Sequence, residues 1–495
     1  MDAREIDVVI VGAGNAAMSA ALSAIEQGAE VLLLERAPYD ERGGNSRFTA
    51  GAIRFVYNDI EDLLKVMPDL SDDEINNTDF GAYTRDDYFD DMGRLTRYRC
   101  DPDLTETLID GSLETMIWMR EKGLRFQPSF GRQAFKVDGK FKFWGGICLE
   151  AWGGGPGLVD MLLQAVEKAG AEVLYGTRAV ELIVKSGVVE GVVARQGNDI
   201  FDIRAKAVVL ASGGFEANTE WRTRYLGPGW DLARVRGTRF NTGDGIRMAL
   251  DIGAMSTGNW SGCHAVGWDR NAPEFGDLAV GDLFQKHSYQ FGIMVNAHGE
   301  RFVDEGADLR NYTYAKYGQE ILKQPGQFCW QVFDAKTSHL LREEYRIRQI
   351  TKATADTIEE LAEKLDDVDA EGFLAEVEAF NAAVNTGVPF DPTVKDGRSA
   401  DGLRVPRANW ANTIDEPPFE AYATTCGITF TFGGLKITTE GHVVDSDGET
   451  IPGLYAAGEL VGGLFYFNYP GGTGLMSGSV FGRRAGSSAG RAATG

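Results

Sequence analysis

The hydrophobic pattern is sharpest near the start of the chain. "DVVIV", Asp7–Val11, is a continuous apolar run rather than an alternating one, which predicts a strand covered on both faces of a parallel sheet. It runs into Gly12-Ala13-Gly14, then into an alanine-rich stretch that predicts a helix to about Gln27, then into a second apolar run, "EVLLLE", ending at Glu35. Further on, "EVLYGTRAVELIVKSGVVEGVVARQGNDIFDIRAKAVVLASGGFEAN" predicts several short strands separated by glycine and Asn-Asp turns, the last of them, Val208–Ala211, leading into Ser212-Gly213-Gly214. Near the other end "IPGLYAAGELVGG" repeats this logic, a short strand followed by Gly458 and Glu459 on a turn. The middle, Trp260–Thr425, has less parallel-sheet patterning. Within its acidic part Phe373, Leu374, Val377, Phe380 and Val384 keep helical spacing and predict an amphipathic helix packed on a larger body. The simplest organisation is an α/β, Rossmann-like domain built from both chain ends, residues 1–259 and 426–495, with an inserted α+β capping domain over 260–425.

Spacing adds chemistry to the first of these elements. Gly12, Gly14 and Ala17 form G-x-G-x-x-A, and Glu35 follows at the end of the next strand. The first glycine permits a tight turn, the second lets the backbone approach a pyrophosphate, and the alanine lets helix and strand pack closely. The helix N-terminus then faces the phosphates, and the acid can accept hydrogen bonds from a ribose. Strand, turn, helix, strand and acid fall in order, so a dinucleotide site is expected. "FNYPGGTGLMSG", Phe467–Gly478, is a second glycine-rich turn opening a helix, and so a second anion cradle.

Composition narrows the partners. A net charge of −24, from 49 basic and 73 acidic residues, argues against nucleic acid and against adhesion to anionic membranes. The start has no basic segment followed by an apolar one, and no apolar run reaches the roughly 18 residues of a membrane span, so neither a signal peptide nor membrane insertion is expected. Cys100, Cys148, Cys263, Cys329 and Cys426 are scattered, the histidines are dispersed, and no metal constellation is visible. A cytoplasmic location is expected.

The segments "VGAGNAAMSAA", "RGGNSRFTAG", "LASGGFEAN", "RGTRFNTGDG", "GERFVDEGADLR", "GITFTFGGLKI" and "IPGLYAAGEL…NYPGGTGLMSG" mark a resemblance that covers nearly the whole chain. Through them it resembles the flavoprotein subunits of the fumarate reductase and succinate dehydrogenase superfamily. Within that superfamily it looks most like FAD-dependent tricarballylate dehydrogenases and, more distantly, 3-ketosteroid dehydrogenases. The resemblance implies FAD across the Rossmann-like domain, with the insert closing over the flavin. Gly12, Gly14, Asn15 and Ala16 would hold the pyrophosphate, and Glu35 and Arg36 would lie at the adenosine ribose. Gly43, Gly44, Asn45, Ser46, Ala50 and Gly51 would follow the ribityl and flavin side, with Ala211, Ser212 and Gly213 nearby. Ala179, Asn241, Asp244, Gly458 and Glu459 would complete the shell, and Gly474, Leu475 and Ser477 would lie at the flavin. Backbone N–H groups around Thr473–Ser477 would stabilise the negative charge that develops at flavin N1 and O2 when N5 takes a hydride. Residues 43–51 contain no histidine to tether the cofactor, so non-covalent FAD is implied.

The implied reaction interconverts a CH–CH and a C=C bond beside an electron-withdrawing group. Arg310 falls where relatives place the arginine that handles the proton, with Asp304, Glu305 and Asp308 as candidate relays. His264 matches a substrate-binding histidine, and His287 has weaker support. Two positions depart from fumarate reductases: Phe430 stands for a histidine and Tyr469 for an arginine, so two groups that grip a dicarboxylate are absent. Fumarate and succinate are therefore unfavoured. The implied substrate is another carboxylate of the tricarballylate type, with a cyclic or aromatic enone as the alternative, and Tyr469 would polarise a carbonyl or carboxylate. Trp260, Trp268, Phe465, Tyr466 and Phe467 are expected to make the mouth aromatic. No iron–sulfur or haem motif is present, so electrons are expected to pass to or from a separate partner.

Overall fold

The computed structural model describes residues 4–495. In chain order its principal elements are β1 (Arg4–Val11), α1 (Asn15–Glu26), β2 (Val31–Leu34), β3 (Glu172–Leu174), β4 (Asp199–Leu210), β5 (Ser256–Asp269), α2 (Tyr314–Leu322), β6 (Phe328–Phe333), α3 (Ala370–Ala383), β7 (Phe419–Leu435), β8 (Thr450–Ala456) and α4 (Thr473–Thr494). Within the first, eight-stranded sheet the order β8-β4-β1-β2-β3 is parallel throughout, so the C-terminal strand β8 joins the same sheet as β1, on the far side of β4. Val8, Val9 and Ile10 of β1 are fully buried, as a strand covered on both faces requires. The chain leaves β1 towards β2 on one side, while β4 pairs with it on the other. This reversal opens a crevice at the carboxyl ends of the strands, the usual ligand position in such sheets. Gly12 lies in that crevice with φ +116°, and a Cβ there would stand 2.4 Å from the Ala211 carbonyl oxygen, so only glycine fits.

The second sheet is built around β7, which pairs antiparallel with β5 along Thr424–Leu435 and with β6 along Glu420–Thr425. The expected division at 259/260 and 425/426 falls inside β5 and β7, so continuous strands rather than linkers join the two layers. The helix expected around Phe373 is α3; Phe373, Val377 and Phe380 are buried in a second core with Val295 and Trp330. No helix among the described residues is long and apolar enough to cross a membrane.

α1 and α4 lie side by side and run in the same direction. Gly482, Gly486 and Gly490 of α4 sit one turn apart, and a Cβ on each would come within 2.6, 2.1 and 2.9 Å of the carbonyl oxygens of Ala16, Ala20 and Ala24. The Asn15 side chain ties the start of this seam, donating to the Leu475 carbonyl (2.8 Å) and to Ser479 Oγ (3.0 Å). Replacing Gly486 by valine would force the helices apart, and Gly486→Val is expected to cost about 2 kcal/mol. The measurement is the urea midpoint; an unchanged midpoint would contradict a seam in which backbone meets backbone.

Candidate functional site

One cavity runs from Gly12 to Arg342. Gly12, Gly14, Asn15 and Ala16 at the start of α1 line it together with Gly472, Gly474, Leu475 and Ser477 at the start of α4. Gly14 and Gly472 occupy the N-cap positions, and neither helix has a side-chain cap or an acid in its first turn. The first N–H of each helix is already taken, Asn15 N donating to Ser46 Oγ (3.0 Å) and Thr473 N to the Pro470 carbonyl (3.2 Å), but both helices aim the positive ends of their dipoles at one space, an arrangement that attracts anionic groups. Gly472 takes φ +82°, and its carbonyl accepts from Arg54 N (3.2 Å), which fixes the turn.

Glu35 lines the same cavity, its carboxylate accepting Ala13 N (3.1 Å) and Ala37 N (2.7 Å). Burial pushes its pKa above the ordinary carboxylate range, against these backbone donors. Ser212 Oγ is buried in the wall without a protein partner. Two convergent helix N-termini, a buried acid after β2 and an unpartnered hydroxyl form a donor and acceptor set that fits the pyrophosphate, ribose and ring of a flavin dinucleotide.

Of the other residues expected here, Arg36, Gly44, Asn45, Ser46, Ala50, Ala179, Ala211, Gly213, Asn241, Asp244, Gly458 and Glu459 also line the cavity. Gly43 and Gly51 do not. They stand behind the wall, where a Cβ on Gly43 would meet Val159 and one on Gly51 the Gly154 backbone. Asp244 is committed to Arg36 (3.0 Å) and Arg178 (2.6 Å), which leaves it as a charged rim. Asn45 and Asn241 both donate to Glu216 Oε1 (2.7 and 2.6 Å), and Glu216 hydrogen-bonds Glu459.

Arg310, His264 and Tyr469 come together at the far end. His264 on β5 is paired with Phe430 on β7, between two ladder irregularities that re-aim side chains: residues 260–262 are extruded before it, and Thr429 bulges beside it. The His264 ring lies 4.9 Å from that of Tyr469 and 5.0 Å from that of Tyr314, and neither ring nitrogen has a protein partner. Burial, reinforced by Arg236, drives its pKa well below the usual imidazole value, so it is neutral. Tyr469 and Tyr314 share a 2.7 Å hydrogen bond between hydroxyls. Arg310 is 5% exposed and donates through Nη2 to the Arg132 carbonyl (3.2 Å) and Gln133 Oε1 (3.0 Å). Burial and the neighbouring Arg342 pull its pKa down to about 9.

The expected relays to Arg310 are engaged elsewhere. Glu305 pairs with Arg301 (2.5 Å) and Arg407 (3.4 Å), and Asp308 with Arg94 (2.6 Å) and Lys395 (3.6 Å). Asp304 accepts the backbone N–H groups of Gly306 and Ala408. The expected aromatic mouth is also redrawn. Only Phe465 of that set lines the cavity, joined by Phe430, Tyr314 and Tyr469. Trp268 is buried against Phe284, Trp260 packs on Phe215 and Tyr225, and Tyr466 and Phe467 lie outside the cavity. Sequence reading missed Arg132, Gln133, Arg236, Tyr314 and Arg342, all of which line it; Tyr314 opens α2 just after the short 3-10 turn that carries Arg310, so no helical spacing linked the two.

A family model described as an FAD binding domain matches residues 7–475. The chain belongs to this FAD-binding family. A protein of Shewanella frigidimarina (strain NCIMB 400) named "Probable fumarate reductase Ifc3" is 30% identical, over 97% of this chain and 74% of its own. A 3-oxosteroid 1-dehydrogenase of Mycolicibacterium smegmatis is 26% identical, over 96% of this chain and 95% of its own. The open conformation of a flavocytochrome c3 fumarate reductase superposes with a TM-score of 0.74 at 28% identity, covering 99% of this chain and 79% of that chain. This flavoprotein is accordingly an FAD-dependent oxidoreductase of the fumarate reductase superfamily, acting on carbon–carbon bonds.

The Glu216–Glu459 pair in its wall gives a prediction. Burial raises both pKa values, Glu216 the further because the Glu459 charge faces it, so Glu216 holds the proton. An acid kept protonated in the fold ionises only on unfolding, so stability falls as pH rises above the ordinary carboxylate value of about 4.3 towards the folded one. Glu216→Gln mimics the protonated acid and keeps an acceptor for Asn45 and Asn241. It is expected to flatten the decline of Tm between about pH 5 and 8 and to match or exceed the parent Tm at the upper end. A variant whose Tm falls with pH as steeply as the parent's would exclude the shared proton.

Proposed function

We propose that this flavoprotein oxidises a CH–CH bond, or reduces the corresponding C=C bond, next to a carboxylate, with tricarballylate-type acids as the first compounds to try. The observation that carries this reading is Arg310, a buried guanidinium lining the cavity and hydrogen-bonded to a carbonyl and an amide, with no carboxylate paired to it among the described residues. FAD, held non-covalently by the residues around Gly12 and Gly472, supplies hydride exchange when bound. The protein's part is to position, to exclude water and to move one proton. Arg310 exchanges that proton at the carbon next to the one that exchanges hydride, and its lowered pKa makes a guanidinium serviceable for this. Neutral His264 and the Tyr314–Tyr469 hydroxyl pair polarise the group conjugated to the reacting bond, acting as uncharged donors in a water-poor space. Electrons then leave for, or arrive from, a separate carrier. The five cysteines are unpaired, in keeping with a reducing compartment such as the cytoplasm.

A second reading, a desaturase or reductase of cyclic enones, is favoured by one observation. Phe430, Phe465, Tyr314 and Tyr469 make an aromatic wall around the hydroxyl pair. Flavin bleaching or reoxidation by a panel of acids and cyclic ketones separates the two, and response to ketones alone would overturn the carboxylate reading.

Arg310→Gln is expected to lower kcat by about a thousandfold or more while the purified variant keeps its FAD. In the reducing direction Arg310 must be protonated, so kcat is expected to fall as pH rises through about 9; in the dehydrogenating direction it should rise towards the same value. Profiles flat across this range would remove Arg310 from proton transfer.

A further inference from the structure

Beyond the aromatic wall, four arginines from four separate segments line the cavity: Arg132, Arg236, Arg310 and Arg342. Two carboxylates answer them. Asp282 holds Arg236 (2.7 Å between Nε and Oδ1) and Arg132 (3.2 Å), and Glu344 approaches Arg342 at 3.3 Å. Glu343 stands at 3.6 Å from Arg132 but is 69% exposed, where water screens it. The buried balance is positive, in a protein whose net charge is −24. Arg342 Nε faces Glu344 Oε1 at 3.3 Å without forming a hydrogen bond, while Arg342 Nη1 and Nε2 of His287, a residue only 2% exposed, are buried with no partner among the described residues. Arg310, Arg342 and Arg236 all bear on His287, whose pKa is driven well below the usual value, first by burial and then by these charges. A neutral ring there is a donor that adds no further repulsion.

Grouping buried cations with unmet donors is costly unless an anion completes them. A planar guanidinium fork is the best match for a carboxylate. Resting on the reading that a bond beside a carboxylate reacts at Arg310, we propose that Arg342, supported by Arg132 and His287, forms a second carboxylate subsite. The substrate is then an acid with at least two carboxylates, one conjugated to the reacting bond and another gripped away from it. Asp282 is a buttress that holds Arg132 and Arg236 in place, and Glu344 does the same for Arg342.

The test is calorimetric binding to the FAD-loaded protein, with tricarballylate as the polycarboxylate and butyrate as the monocarboxylate. The parent should bind tricarballylate at least about tenfold more tightly than butyrate, the scale of one charge-assisted hydrogen-bonded contact. Arg342→Gln should reduce that preference to less than about threefold while leaving butyrate affinity within about twofold. Arg342→Lys, which keeps the charge and loses the fork, should fall between them and serves if the glutamine variant does not fold. Equal weakening of both acids, an undiminished preference, or a parent that does not bind tricarballylate would each overturn the subsite. None of these results touches the Arg310 kinetics. Conversely, an intact preference for tricarballylate with no turnover of any acid would sink the proposed reaction and leave the subsite standing.

Discussion

The structure depends on the contact between two parallel helices from opposite ends of the chain. Antiparallel helices attract through their dipoles; α1 and α4 run the same way and repel. They are nonetheless packed as closely as backbones allow, because Gly482, Gly486 and Gly490 offer no side chain to α1 and Asn15 ties the first turn across the seam. The electrostatic cost is turned to use at one place, where both N-termini open onto the same cavity. An anionic cofactor there relieves the repulsion, so the geometry that makes the seam unfavourable alone makes the site favourable when filled.

The rest of the cavity divides by charge. Its cap side, built on β5, β7 and the turn before α4, offers neutral groups: two tyrosine hydroxyls bonded to each other, a histidine kept uncharged, and phenylalanine rings. The adjoining region is cationic, with Arg310 bearing no acid and Arg342 only partly met. In a space of low dielectric such a division orients a substrate strongly, since an acid and an apolar skeleton each have one favourable end. It also explains why Asp304, Glu305 and Asp308 are turned away from Arg310. A carboxylate against that guanidinium would neutralise it and restore its ordinary pKa.

Motifs whose chemistry demands particular residues at fixed spacing were legible in the sequence. Gly12, Gly14 and Glu35 could be assigned because a dinucleotide turn tolerates few alternatives, and α3 because five apolar positions kept one period. Single charged residues carry no such signature. Arg132, Arg236 and Arg342 each look like an ordinary surface arginine until the fold gathers them. Trp260 and Trp268 were misplaced for a different reason. Composition does not say which way a strand faces, and the extruded residues 260–262 and the bulge at Thr429 break the alternation that would have told His264 from its neighbours. β5 and β7 run unbroken through the expected domain boundaries, so no linker marks those positions in the sequence.

The glycine seam also has a consequence for biosynthesis. Asn15 meets Leu475 across 460 residues, so a ribosome must deliver almost the whole polypeptide before the cofactor cradle has its second half. Until then the alanine face of α1 that packs on α4 has no partner. A chain that ended before α4 would lack Gly472, Gly474, Leu475 and Ser477, and with them one of the two helix ends that line the cofactor cavity.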